Sequence, residues 1–291
     1  MAAKYLTYCL MVCFLFGCTR DVYINIKESE PKIVVKSVTA EGELFEVHVS
    51  SSASIFAEQG NTQEIADDAI VSLFVNDTPA EVLHFSPGSG TYKADHTRPF
   101  FGNTYRIEVS RPGFTPVSAT STVPANIPIS SVIVEHDARQ LNQQYQTGIK
   151  LIFTDVPGEN FYSILLQNGD GYFPCLYCKD VALEKVSDLD IFELEFCYGR
   201  GKLILNDKSF EGQEKQVQTY VDKHSVIADP PYYARIVLQH ISYDYFRFLT
   251  TKNLNEITSD NPFAEPANIV GNIHNGFGIF TIYSRSSRQV N

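Results

Sequence analysis

From Pro31 to Pro124 apolar and polar residues alternate with period two, broken at short intervals by turn residues. In "AIVSLFVN" (69–76), Val71, Leu73 and Val75 share one face; in "TYRIEVS" (104–110), Tyr105, Ile107 and Val109 do the same. Such alternation is the mark of strands with one face buried. The same reading places strands at 32–39, 44–51, 81–86, 91–96 and 117–123, separated by Asn76-Asp77, Pro87-Gly88-Ser89-Gly90 and Pro112-Gly113. Seven short strands at this spacing predict an immunoglobulin-like β-sandwich over 31–124. The Cys-Trp-Cys core of antibody domains is absent, so only the general architecture follows.

"PANIP" (124–128) reads as a linker into a mainly β C-terminal domain over 125–291. Longer strands are expected at 130–136, 148–155, 160–167, 190–196, 202–206, 216–222 and 232–241. The period then changes. Tyr245, Phe246, Leu249, Asn253 and Leu254 follow helical spacing, with Ser242 or Asp244 as cap, predicting one packed helix near 243–257. "GIFTIYS" (278–284) alternates again and returns to the sheet. No internal repeat is evident.

The chain opens differently. Residues 1–17 carry one charge, Lys4, and an apolar run from Tyr5 to Phe16, which reads as a secretory signal peptide. The run is shorter than the roughly 20 residues that span a bilayer. It ends in Leu15-Phe16-Gly17-Cys18, which resembles a bacterial lipobox, whose cysteine receives a diacylglyceryl group carrying palmitate-type chains. Two or more acyl chains hold a protein stably to a membrane that it does not span. Cys18 is therefore the expected lipidation site, with 18–30 as the lipidated tether.

Composition narrows the partners. The 291 residues are enough for two ordinary domains, and the net charge of −11 argues against nucleic acid and anionic lipid surfaces. Outside the leader and Cys18 three cysteines remain: Cys175, Cys178 and Cys197. In an oxidising compartment two of them are expected to pair. A bridge from Cys197 to Cys175 or Cys178 would close a loop of about twenty residues, worth roughly 3 kcal/mol in the chain-entropy model. Two other readings stay open. Cys175-Leu176-Tyr177-Cys178 has the CxxC spacing of a redox site, but no helix pattern follows it. Zinc would need a fourth ligand, for which His224 is the nearest downstream residue, at no standard finger spacing. No metal and no cofactor is expected.

Acidic pairs at Asp67-Asp68, Asp188/Asp190 and Glu193/Glu195 lack the glycine and closing glutamate of a calcium loop, and read as solvated sheet faces. No HExxH, GxSxG or P-loop occurs, and His136-Asp137 is half a triad only if a serine is chosen arbitrarily. No catalytic residue is assigned.

The C-terminal stretch "NPFAEPANIVGNIHNGFGIFTIYS" (261–284) has a physical reading of its own. Pro262 and Pro266 break the preceding helix, while Gly276 and Gly278 permit close backbone approach before the last strand. Asn261, Pro262, Phe263, Glu265, Pro266, Asn272, Gly276 and Phe277 form either a structural loop or a recognition surface. Together with "KIVV", "DDAIVSLFVND", "TYRIEV" and "FTDVPGENFY" (153–162), this stretch resembles domain-of-unknown-function family 4249, made of Bacteroidetes-type cell-envelope lipoproteins. The resemblance implies an outer-membrane lipoprotein encoded beside a TonB-dependent receptor, and it implies no catalytic residues. The reading that follows is a membrane-anchored binding or accessory module for such a receptor. The alternatives are a stand-alone surface adhesin or envelope scaffold that binds protein or glycan, and, more remotely, a hydrolase of envelope polymers.

Overall fold

A computed structural model describes residues 30–52, 64–141, 143–168, 173–174, 176, 201–226, 233–259, 265 and 267–290. Every alternating run expected before Pro124 is a strand: β1 (Ile33–Ala40), β2 (Glu46–Ser51), β3 (Ile70–Val75), β4 (Thr78–Ser86), β5 (Thr91–Lys93), β6 (Thr104–Ser110) and β7 (Val117–Thr122). Val71, Leu73, Tyr105, Ile107 and Val109 all point inward and are buried. Asn76 and Asp77 both take positive φ between β3 and β4, as a two-residue hairpin that matches strand twist requires. The strands are hydrogen-bonded in the order β1-β2-β5-β4-β3-β6-β7. All seven contribute to one apolar cluster, so the sheet must curl around it. The curl brings β7 back beside the last strand of the chain, where the Ile282 amide donates to the Ser121 hydroxyl at 3.0 Å.

The second half contains β8 (Ile129–Leu141), β9 (Gln144–Thr154), β10 (Phe161–Gln167), β11 (Lys202–Asn206), β12 (Glu214–Asp222), β13 (Arg235–Ile241), α1 (Tyr243–Ser259) and β14 (Phe277–Gln289). The strand expected at 190–196 lies outside the described residues. β12-β9-β8 form a separate three-stranded sheet. It packs over β11, β10 and β13 through Ile149, Leu151 and Phe153 on one side and Tyr162, Ile164 and Leu238 on the other. The opposite face of β10, β11 and β14 receives the helix. There Phe161 meets the ring of Phe246 at 4.6 Å, and Ile204 and Ile279 cover Tyr245. Ser242 caps the helix, its hydroxyl accepting the Tyr245 amide at 3.2 Å. The chain is thus mainly β with one packed helix, as the alternation and the single change of period predict. No described helix is long and apolar enough to cross a membrane.

β14 is nearly twice the expected length and pairs with both halves. Residues 277–283 run parallel to β1, and residues 284–289 run antiparallel to β13, so eleven strands become one continuous sheet. Phe280 and Ile282 enter the first core, and Val290 just beyond the strand enters the second. The glycines of the C-terminal motif make this possible. A Cβ on Gly278, whose φ is +107°, would stand 1.9 Å from the Val35 carbonyl oxygen; one on Gly271 would stand 1.8 Å from the Gly278 oxygen. Three backbones are stacked too closely there for any side chain.

Candidate functional site

The turn after β9 carries "FTDVPGENFY", and it faces the turn between β11 and β12. Carboxylates lace the two together. Asp155, buried, accepts the Gly212 amide at 2.7 Å and the hydroxyl of Tyr162. Asp207, also buried, accepts the Asn160 amide at 2.6 Å. Glu211 accepts the Gly158 amide at 2.7 Å, and the Asn160 side chain donates to the carbonyls of Val156 and Gly158. Pro157 and Gly158 (φ +111°) make the bend that aims these donors inward.

Asp155, Asp207 and Glu211 bring one oxygen each within 4.8 Å of the others, the arrangement among the described residues best suited to a hard cation. Burial raises the pKa of Asp207, and the negative charges of Asp155 and Glu211 add to the rise against the opposing hydrogen bonds from Asn160. Each carboxylate already accepts a turn amide, so the arrangement works first as a staple. Beside it His240 on β13 stacks on Tyr162 at 5.2 Å between ring centres and donates through Nδ1 to the Ala125 carbonyl at 2.8 Å. Burial lowers the pKa of His240; the Ala125 carbonyl, Asp155 and Asp207 pull the other way without overcoming it. Neutral histidine is the resting form at pH 7.

A second feature lies where β1 begins. The segment before β14 crosses the edge of β7, with His274 and Ser118 exchanging backbone hydrogen bonds of 2.8 and 3.4 Å. His274 and Asn275 thereby wall an open cleft of about 340 Å³. Its floor is the outer surface of β3, β6 and β7: Ile70, Ser72, Glu108, Ser110 and Ser118. Apolar, hydroxyl, carboxylate and imidazole groups converge there, a lining suited to binding a polar molecule.

The residues singled out from sequence distribute as follows. Cys18, Cys175, Cys178, Cys197, Asn261, Pro262, Phe263 and Pro266 lie outside the described residues, as do the acidic pairs at 188–195. Leu176, within the CxxC stretch, is buried in the second core. Glu265 is exposed. Asn272 is turned inward, its side-chain amide bracketing Phe280 by accepting that residue's amide at 2.9 Å and donating to its carbonyl at 2.8 Å. Gly276 is wedged against the Ile33 carbonyl, 2.6 Å from where a Cβ would sit. Phe277 is exposed, with the Lys32 ammonium 5.3 Å from its ring centre. Asp68 pairs with Arg111 at 2.7 Å. His136 and Asp137 are exposed on β8, and Asp137 faces Lys223 at 3.7 Å. His224 is exposed in a single 3-10 turn. The stapled corner was not singled out as a site from sequence. Its one local signal is Asp155 followed by Pro157-Gly158; Asp207 and Glu211 arrive from some fifty residues away.

The family described as a domain of unknown function (DUF4249) matches residues 19–289, and the chain belongs to it. No curated protein matches the chain. Among solved structures, a beta-glycosidase from Bacteroides vulgatus aligns at 12% identity over 73% of this chain and 23% of that one. Its TM-score of 0.21 is too low to carry any inference about fold or activity.

Proposed function

We propose that this DUF4249 member is a lipid-anchored binding module of the cell envelope, working beside a TonB-dependent outer-membrane receptor and not as an enzyme. The observation that carries the reading is the order of the first residues. An apolar leader ends at Leu15-Phe16-Gly17-Cys18, and the family match begins at the very next residue. Lipidation at Cys18 places two or more acyl chains at the mature N-terminus, enough for stable anchoring. The chain then enters β1 at the end of the first core that carries the His274–Asn275 cleft. The stapled corner tightens a scaffold and needs no catalytic role.

The first test is Cys18→Ala, which releases the protein from the membrane fraction or leaves it unprocessed; normal retention would sink the anchor. The second is a mild-detergent purification of the C-terminally tagged lipoprotein. A near-stoichiometric β-barrel receptor supports the accessory role. Its absence, with the protein still in the membrane, transfers the function to a stand-alone adhesin or scaffold. The cleft is the observation favouring that second reading, because its serine-rich, mixed lining suits a hydroxylated ligand such as a glycan.

A further inference from the structure

The outer face of β3, β6 and β7 sets its polar groups in rows. Ser72 on β3 stands beside Glu108 on β6, and Glu108 beside Ser118 on β7; in the next row Ile70 stands beside Ser110. Neighbouring strands lie about 4.8 Å apart, so hydroxyl, carboxylate and hydroxyl form a line about 10 Å long on the floor of the His274–Asn275 cleft. Among the described residues, the hydroxyls of Ser72, Ser110 and Ser118, the His274 ring and the Asn275 side-chain amide bond to no other protein group. Glu108 differs. One of its oxygens meets the Arg106 guanidinium, which also lies 3.8 Å from the centre of the Phe74 ring and reaches Asp77 at 3.3 Å. Arg106, held on three sides, fixes the Glu108 carboxylate and leaves its second oxygen without a protein partner. The facing wall is firm as well, since Asn275 takes a φ of +63° and the Gly276 amide closes the turn on the Ile273 carbonyl at 3.4 Å. A ligand bound between such walls orders little that is not already ordered.

The lining selects among ligand classes. An extended peptide docks by adding to a strand edge, but the β7 edge at Ser118 is already taken by the backbone of His274. Polyanions need cations to hold them. Among the described residues no Lys or Arg lines the cleft, and the carboxylates of Glu108 and Asp77 outnumber the one guanidinium that they share. A wholly apolar ligand would strand the hydroxyls and the carboxylate without partners. An uncharged ligand rich in hydroxyls, each able to donate and to accept, meets every group of the lining. A sugar has that character, and its C–H faces can rest on Ile70, which is 59% exposed, and on Pro116. We propose that the cleft takes a short stretch of uncharged glycan, that Glu108 orients it by accepting sugar hydroxyls, and that the same carboxylate turns acidic sugars away. This rests on the second reading above, in which the cleft is the ligand site. At about 340 Å³ the cleft stands at the small end of ligand sites, so it grips few sugar rings at once.

The test uses the full-length lipoprotein in a polyoxyethylene detergent, because sugar-headed detergents would compete. The probes are immobilised dimers to hexamers of glucose, mannose, galactose and N-acetylglucosamine, beside galacturonate oligomers and sialyllactose. The expected result is binding to at least one uncharged series, with the acidic probes at least tenfold weaker. Ser118→Trp, which fills the cleft, should lower that binding at least tenfold. Ser72→Ala/Ser118→Ala, which adds no bulk, should act in the same direction through lost hydrogen bonds. Glu108→Gln should reduce the ratio of uncharged to acidic affinity at least tenfold, a selectivity that a merely structural role for Glu108 would leave alone. Acidic probes bound as tightly as uncharged ones would overturn the charge selection and with it the proposal, while keeping the cleft as a glycan site. Binding untouched by all three variants would overturn the site and leave the adhesin reading standing without it. No binding to any probe would overturn the proposal outright. The receptor purification described above reports on the accessory role whatever the sugars show, so the two readings fail separately.

Discussion

Two turns of this molecule are tied down by the same device, a carboxylate accepting backbone amides, yet the electrostatics have opposite signs. In the N-terminal half, half-exposed Glu81 gathers the amides of Asp95, His96 and Thr97. Burial pushes its pKa up, but hydrogen bonds from the Thr97 hydroxyl and those amides outweigh it, and the pKa lies below the usual 4.5. In the C-terminal half, buried Asp207 accepts the amide of Asn160 with Asp155 and Glu211 close by, and its pKa is raised above 3.8. A carboxylate near water with several donors is held ionised; one in the interior with like charges beside it resists ionisation. The first turn gains from its charge, and the second holds together in spite of it.

The largest separation between the two should appear on deletion. Asp155→Ala leaves the buried Tyr162 hydroxyl, and the amide of exposed Gly212, without their acceptor. A buried donor so orphaned costs about 1–3 kcal/mol, whereas the Gly212 amide can turn to water, so the expected loss is about 1–3 kcal/mol. Glu81→Ala exposes its amides to water that can replace the carboxylate, and should cost no more than about 1 kcal/mol. Urea unfolding of both variants measures the difference. Equal losses would mean that burial does not set the value of these staples.

That contrast was only partly legible in the sequence. Strands β1 to β7 and helix α1 follow from local periodicity, because one face of each is buried against one core. The turn at Asn76-Asp77 and the cap at Ser242 are likewise written locally. The length of β14 is not: its second half, from Ser284 to Gln289, alternates weakly and is ordered by pairing with β13, a distant segment. Gly278 was legible as a point of close approach, but not that its neighbour would be the Val35 backbone. The stapled corner depends on Asp207 and Glu211 meeting Asp155 across some fifty residues, and no spacing rule reads such a meeting.

Acidity offers a smaller but sharper test, because the two halves should answer it in opposite directions. For Glu81 the folded pKa is lowered, so its stabilisation is full above the unfolded value near 4.5 and is lost as pH falls through the folded value. For Asp207 the folded pKa is raised, so its contribution is full below 3.8 and is lost as pH rises through the folded value. Glu81→Gln should flatten the acid limb of the stability curve. Asp207→Asn keeps an oxygen to accept the Asn160 amide while removing the charge, and should flatten the opposite slope above pH 4. Neither slope can exceed about 1.4 kcal/mol per pH unit, the limit for one proton. Unfolding at half-unit intervals from pH 3 to 7 decides it; slopes of the same sign in both variants would refute the comparison.

The smallest effect probes the corner through its neighbour. His240 is held neutral by burial, which lowers its pKa below 6.5, while the Ala125 carbonyl and the charges of Asp155 and Asp207 pull it upward. Lowering the pH therefore costs stability, beginning near the unfolded value of 6.5 and complete once the folded value is passed. If Asp207 is substantially ionised in that range, Asp207→Asn removes one of the charges favouring the imidazolium, and the titration midpoint of His240 should move further down. Glu81→Gln, in the other half, should leave it where it is. The ring protons of His240 followed by NMR report the midpoint directly. A midpoint that ignores Asp207→Asn would mean that Asp207 is already protonated when His240 titrates, so that the corner holds fewer charges than carboxylates. It would also make the two turns more unlike still, one ionised and bonded, the other keeping its shape by staying neutral.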